Sequence, residues 1–320
     1  MTQTRILITG GNGYVGRTLT RTLGPEYDVC IADILRYGDW RFDAAERAAL
    51  RLEQLDIRDV DRVATLMNEF RPDIVVHLAA LHYIPECESD PGQAVSTNVL
   101  GTLNLLMACP EGSRFVFASS GAVYRPQETP HQELESPLGP DDIYGFTKLH
   151  GENYVAKIAA KRQLQAVVTR LFNVIGPGET NPHLLPELVA QLKAGRCVIE
   201  LGNLTSRRDY ISVRDAADGF RAAALQGEVA PGETCFINLG TSQTHSVIEI
   251  IEKIRRVSGV KFEIRQDASR VRRVDRPVLA ADNRRIAAMF GWRPRHTVDD
   301  TLAELWERPD FASGLIEKYL

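Results

Sequence analysis

The stretch Arg5-Ile6-Leu7-Ile8-Thr9-Gly10-Gly11-Asn12-Gly13-Tyr14-Val15-Gly16 constrains this chain more than any other. An apolar run enters a cluster of glycines, and an amphipathic helical pattern follows from Thr18 to Leu23. The spacing suits a strand, a tight turn and a helix around a dinucleotide. The turn needs a positive φ, the backbone must come close to a pyrophosphate, and the helix must pack tightly on the strand. Such a pyrophosphate rests on free N–H groups at the helix N-terminus, so Gly10, Gly13, Tyr14, Val15 and Gly16 are expected to line it. Asp33 comes twenty residues after Gly13, at the end of a second apolar strand, Val29-Cys30-Ile31-Ala32. There a carboxylate accepts hydrogen bonds from both adenosine ribose hydroxyls and repels a 2′-phosphate, which points to NAD rather than NADP. Arg36, close by, weakens that preference slightly. A plain strand-turn-helix corner with chance glycines accounts for the turn, but not for the strand, helix and Asp33 at these intervals.

Three hundred and twenty residues with 44% apolar content suggest about two domains. The net charge of −4 and the scattered Lys and Arg give no basic stripe, so nucleic acid is not an expected partner. The five cysteines, Cys30, Cys87, Cys109, Cys197 and Cys235, form no metal-ligand spacing and read as reduced, buried thiols; no metal is expected. The first strand begins almost at the N-terminus, and no apolar run approaches a membrane span. The expectation is a soluble, cytoplasmic protein with no membrane partner.

Strand-like and helix-like segments alternate through the first half, which implies right-handed crossovers and a parallel sheet covered on both faces. Strands are expected at Ile6–Thr9, Val29–Asp33, Leu52–Leu55, Ile74–Leu78, Arg114–Ser119 and Gln165–Arg170. The fold class is α/β, a Rossmann-type doubly wound parallel sheet with a smaller C-terminal α/β lobe. The dinucleotide domain should cover 1–173, with 211–240 returning to it as helix Ile211–Leu225 and strand Phe236–Gly240. The remainder, 174–210 and 241–320, should form the lobe. Within it a helix is expected from Asn181 to about Ala194, followed by an irregular stretch, Cys197–Asn203. Asp215 and Asp282 read as helix N-caps.

Ligands of such sheets collect outside the carboxyl ends of the strands. Asp56 and Ile57 follow the third strand, where a carboxylate can bond the adenine amino group and the isoleucine can pack on the ring. Asp59 reads as a helix N-cap beside them. Leu78, Ala79 and Ala80 close the fourth strand with side chains small enough for a cofactor to approach, while His77 reads as a satisfied core histidine. Asn98 is expected near the cofactor, holding a strand edge or a water. Two further stretches carry the chemistry: Phe117–Tyr124, which contains Ser120, and Tyr144-Gly145-Phe146-Thr147-Lys148. Tyrosine and lysine at i and i+4 share a helix face, so the ammonium can favour the ionised phenol. A phenolate beside a nicotinamide is a competent base for an alcohol proton.

Thr9–Gly16, Ser120, Tyr144-x-x-x-Lys148 and Arg170-Leu171-Phe172-Asn173-Val174-Ile175-Gly176-Pro177-Gly178 together resemble the extended short-chain dehydrogenases/reductases of the nucleotide-sugar branch. The resemblance spreads over nearly the whole chain. It implies that Tyr144 takes the proton of a sugar 4-hydroxyl while hydride passes from C4 to NAD⁺ and later returns to the other face. Ser120 would bond the reacting oxygen, Lys148 would tune Tyr144 and bind the nicotinamide ribose, and Tyr144 would also contact the cofactor. The substrate, a nucleoside-diphosphate sugar and by resemblance a UDP-sugar, would meet His82, Ser120, Asn173, His183, Leu184, Arg208, Arg272 and Asp275. Arg208 and Arg272 would grip the diphosphate, because guanidinium forks match its oxygens, and Asp275 a ribose. Leu279 would lie near the sugar. The resemblance also implies a homodimer through helices near Val95–Ala108 and Tyr144–Ala160, with Tyr154, Val155, Ile158 and Ala159 in the contact. A 4-epimerase is the leading reading. A 4,6-dehydratase or decarboxylase would place an acid just after Ser120, where Gly121 and Ala122 stand, and 4-keto reductases more often use NADP. A dinucleotide sensor on the same fold has no need of a complete Ser, Tyr and Lys set.

Overall fold

A computed structural model describes residues 3–267 and 276–311. Within these a seven-stranded sheet forms from β1 (Thr4–Thr9), β2 (Tyr27–Asp33), β3 (Arg51–Gln54), β4 (Ile74–His77), β5 (Arg114–Ser120), β6 (Gln165–Leu171) and a last strand, Thr234–Leu239. Every pairing is parallel, and the order is β3-β2-β1-β4-β5-β6 and then the last strand. All six expected strands of the first half are present, as is the seventh from the second half.

The alternation of strand side chains sorts them into two cores. Ile6, Ile8, Ile31, Val76 and Val167 pack on one face with the helix Val213–Leu225. Leu7, Cys30, Val75, Phe115 and Val168 pack on the other, with Val155, Ile158 and Ala159 of the long helix Ile143–Arg162. A third core, built on Leu188, Val189, Ile199, Tyr210, Ile250 and Leu302, belongs to the second layer. That layer contains a small sheet in which Arg207–Ser212 pairs with Asn173–Ile175, Thr244–Ser246 and Val278–Leu279.

Several expectations are corrected. The first helix spans Tyr14–Thr22 and starts directly on the glycine turn. Cys197–Asn203 is not irregular, because Val198–Leu201 pairs in parallel with Glu263–Gln266. Ile211 and Ser212 end a strand, and the helix after them is capped by Ser212, whose hydroxyl accepts from the Arg214 N–H. Asp215 is therefore no cap. It is fully buried and accepts from the N–H groups of Arg295 and His296 and from His296 Nδ1, which fastens the C-terminal segment to this helix. Asp282 does accept from the Arg284 N–H, although Asn283 occupies the cap position. The helix after Pro182 begins only at Leu184. Four cysteines are buried and Cys197 is exposed, and all five are unpaired. No helix among the described residues is long and apolar enough to cross a membrane.

Candidate active site

A cavity of about 860 Å³ opens at the carboxyl ends of the strands, between the large sheet and the second layer. Its first end is the glycine turn. Gly10 has φ 72°, and a side chain there would press on the Ala79 backbone at 2.6 Å; one on Gly16 would meet the Gly10 carbonyl at 2.4 Å. The first helix has no side-chain cap and no acid in its first turn, so its leading N–H groups stay available to an anion. Asp33 accepts from the N–H groups of Asn12 (3.0 Å) and Leu35 (2.9 Å), which aim its carboxylate at the cavity. Burial pushes its pKa up, and the two N–H bonds pull it back. Gly10, Gly13, Tyr14, Val15, Gly16, Asp56, Ile57, Leu78, Ala79 and Ala80 all line this end. Asp56 is paired with Arg58 at 2.6 Å, and Arg36 with Glu86. An anion cradle with a fixed carboxylate one strand away fits a dinucleotide.

At the other end, Ser120 closes β5 and its Oγ accepts from the Ala122 N–H at 3.1 Å. Asp142 caps the long helix, accepting from Gly145 N–H at 2.7 Å, and so sets Tyr144 in the first turn facing Ser120. Burial raises the Tyr144 phenol pKa, and its interaction with the Ser120 hydroxyl works against that rise. Lys148 donates to the Ala118 carbonyl at 2.8 Å, with Nζ 5.8 Å from the centre of the Tyr144 ring. Burial pulls its pKa down to about 8. His77 is the satisfied core histidine expected, bonded to Thr9 and Thr102 at 2.8 and 2.9 Å.

Of the proposed substrate residues, His82, Ser120, Asn173, His183 and Arg208 line the cavity. Two expectations are corrected. Leu184 turns into the third core instead of the cavity, because it opens a helix whose apolar side packs there. Asn98 does not line the cavity either. It is buried, and its amide group exchanges two hydrogen bonds with the Leu81 backbone (2.7 and 2.8 Å), pinning the segment after β4. Arg272 and Asp275 lie outside the described residues. Arg208 is held by the alternation of its strand. Its neighbour Asp209 points the other way and accepts from Thr241, Ser242 and Ala281, leaving Arg208 on the cavity side with Nη1 donating to the Arg276 carbonyl at 2.6 Å.

Sequence reasoning missed Arg276, Glu179 and the bridge across the cavity from Tyr37 through Asn181 to His82 (3.0 and 2.9 Å). None of them belongs to a local motif. The nearest signal for Arg276 was its place directly after Asp275. Among the described residues no cluster of His, Cys, Asp or Glu has the arrangement of a metal site.

A glycine-turn parallel sheet with Ser, Tyr and Lys gathered at its strand ends is the equipment of a pyridine-nucleotide enzyme. The model of the NAD dependent epimerase/dehydratase family matches residues 6–240, and the chain belongs to that family. It is 30% identical to a UDP-glucose 4-epimerase of Lactobacillus helveticus over 95% of this chain and 96% of that one. It is 28% identical to a GDP-6-deoxy-D-mannose reductase of Pseudomonas aeruginosa, over 96% and 98%. The crystal structure of a UDP-glucose-4-epimerase from Stenotrophomonas maltophila, with bound NAD and formylated UDP-arabinopyranose, superposes with a TM-score of 0.82 at 29% identity, covering 95% and 97%.

Proposed function

We propose that this chain is an NAD-dependent nucleotide-sugar 4-epimerase that works through a transient 4-keto sugar, with a UDP-sugar as substrate. The observation that carries the reading is Ser120, Tyr144 and Lys148 in one cavity that runs from the glycine turn to Arg208. NAD⁺ held at the glycine turn and Asp33 would supply the acceptor, and later the donor, of the sugar hydride. Tyr144 takes the proton of the 4-hydroxyl and gives it back, Ser120 holds the reacting oxygen, and Lys148 supplies the positive charge that favours the phenolate. Arg208 takes the diphosphate, with Arg272 and Asp275 completing the nucleotide grip. In this reading 1–173 and 211–240 hold the cofactor, and 174–210 and 241–320 hold the substrate. Gly121 and Ala122 offer no acid for loss of water, and the nearby Asp142 is already committed to Arg276 and its helix cap.

The reductase relative supports a second reading, a 4-keto reductase. One experiment separates the two: turnover of UDP-glucose, UDP-galactose and the UDP-uronates in D₂O, with mass spectrometry of the cofactor released on denaturation. Co-purified NAD and a C4 epimer without deuterium at C4 or C5 are expected. A stoichiometric demand for NADPH would move the choice to the reductase, and deuterium at C5 to the dehydratase.

A homodimer in a reducing, cytoplasmic setting completes the proposal, the five unpaired cysteines supporting the compartment. The apolar residues left exposed on the two helices are Val95, Leu100, Met107, Phe146 and Tyr154. Val155, Ile158 and Ala159 are not part of that face, because the chain's own core buries them. Sedimentation as a monomer at micromolar concentration would remove the dimer from the proposal.

A further inference from the structure

Arg276 is buried at the sugar end of the cavity, at the start of the segment that leads into the strand Val278–Leu279. Its guanidinium reaches two separate pieces of the catalytic apparatus. Nη2 donates to the Ala122 carbonyl at 3.0 Å, and Nη1 pairs with Asp142 Oδ2 at 3.1 Å. Ala122 belongs to the turn whose N–H bonds the Ser120 hydroxyl, and Asp142 caps the helix that carries Tyr144. The two pieces also touch directly, since a side chain on Gly145 would come within 2.6 Å of the same Ala122 carbonyl. On its other side, the backbone carbonyl of Arg276 accepts from Arg208. One residue thus ties the Ser120 turn, the Tyr144 helix and the candidate diphosphate arginine together.

We infer that Arg276 is a positioning residue, whose fork to Ala122 and Asp142 fixes the spacing of Ser120 and Tyr144 and neutralises Asp142 beside the phenol. The inference rests on the reading of Tyr144 as the proton-transfer group. A bidentate guanidinium suits this task because its donors are rigid and point in fixed directions, which a lysine cannot reproduce. A charge role accompanies the geometric one. The groups that act on the Tyr144 phenol are Ser120 from β5, Cys87 from the helix Ile84–Ser89 and Asp142 from its own helix cap, and the Lys148 ammonium lies 5.8 Å from the centre of its ring. Asp142 is the carboxylate among them, and it opposes the phenolate.

The test is a double-mutant cycle of Arg276→Met and Asp142→Asn in the NAD-loaded enzyme, read as kcat, KM and the pH profile of kcat. Asparagine keeps the helix cap while removing the charge. Small displacements of catalytic groups have large kinetic consequences, so Arg276→Met should lower kcat by about thirtyfold. KM for the nucleotide sugar should change by less than about threefold if the lost interaction matters only in the transition state. The limb of the profile that reports the base should move to higher pH in Arg276→Met, because Asp142 then faces the phenol uncompensated. Adding Asp142→Asn should bring it back and make the double variant less impaired than the product of the two losses. Arg276→Lys serves as the second variant if the methionine change lowers expression: it should restore the limb while leaving kcat depressed. An effect confined to KM, or additive losses with an unmoved profile, would overturn the inference. Tyr144→Phe is run alongside. An active Tyr144→Phe enzyme would bring down the proton-transfer reading itself, whereas an inactive one beside normal Arg276 and Asp142 variants would sink the positioning role alone.

Discussion

The two ends of the cavity are built differently. The anion cradle of the dinucleotide end comes from one continuous stretch, residues 10–16, with Asp33 a strand away, held by backbone N–H groups of that stretch and its own loop, and with Asp56, Ile57 and Leu78–Ala80 added from the ends of β3 and β4. The sugar end is gathered from separate segments: Ser120 from β5, Tyr144 from the long helix, Asn173 and Arg208 from the small sheet, and Arg276 from the approach to its edge. Local backbone geometry makes the cradle of the first end, and long-range packing makes the second. Damage at the sugar end should therefore disable the reaction while leaving the cofactor in place.

The largest expected effect tests that separation. Tyr144→Phe removes the proton acceptor and should lower kcat by roughly a thousandfold or more, whereas Ser120→Ala should keep partial activity. Both variants should still purify with NAD and bind nucleotide sugar. Loss of NAD from Tyr144→Phe, seen on denaturing and assaying the supernatant, would mean that the two ends are not independent.

The same difference explains what was legible in the sequence. The strands could be read because parallel strands buried on both faces leave uninterrupted apolar runs, as in Ile6-Leu7-Ile8 and Ile74-Val75-Val76. The glycine turn could be read because its spacing is a local steric demand. Tyr144 and Lys148 lie one helical turn apart, so their partnership was local too. Leu184 was misplaced because a helix presents neighbouring residues to different surroundings, and the apolar one goes to the core. Asp215 looked like a cap because aspartates before an apolar helix usually are. Its burial depends on a segment eighty residues further on, which no local pattern reveals. Arg276 was hidden for the same reason, since its partners lie 154 and 134 positions away in sequence.

Lys148 stands where the two ends meet, and its effect should be intermediate in size. Its pKa falls from 10.5 to about 8 on burial, so above about pH 8 the unfolded chain holds the extra proton. Stability then rises with pH through that window, while below it the full cost of burying the charge remains. The gap is worth at most about 3 kcal/mol. Chemical denaturation of cofactor-free protein at pH 7, 8.5 and 10 should show wild type improving relative to Lys148→Met by up to that amount. A constant difference between the two proteins would mean that the ammonium stays solvated in the fold.

The smallest effect belongs to the dinucleotide end and sharpens the contrast from the other side. Asp33 can offer its carboxylate to a ribose because Asn12 and Leu35 hold both of its oxygens in place. Asp33→Ser removes a charge-assisted acceptor, which should weaken NAD by roughly 2 kcal/mol, about thirtyfold. Repulsion of a 2′-phosphate disappears at the same time, yet NADP should gain little, because the neighbouring Arg36 is already paired with Glu86. Adding Glu86→Gln releases that guanidinium, and only the double variant should bind NADP better than NAD. Fluorescence titration of the cofactor-stripped proteins measures both affinities. Unchanged NAD binding in Asp33→Ser would remove Asp33 from the cofactor site. Full NADP preference from that single change would show that Glu86 does not restrain Arg36. Through both variants the response of Tyr144 to pH should stay as in wild type, since nothing in the Arg276, Ala122 and Asp142 arrangement touches Asp33.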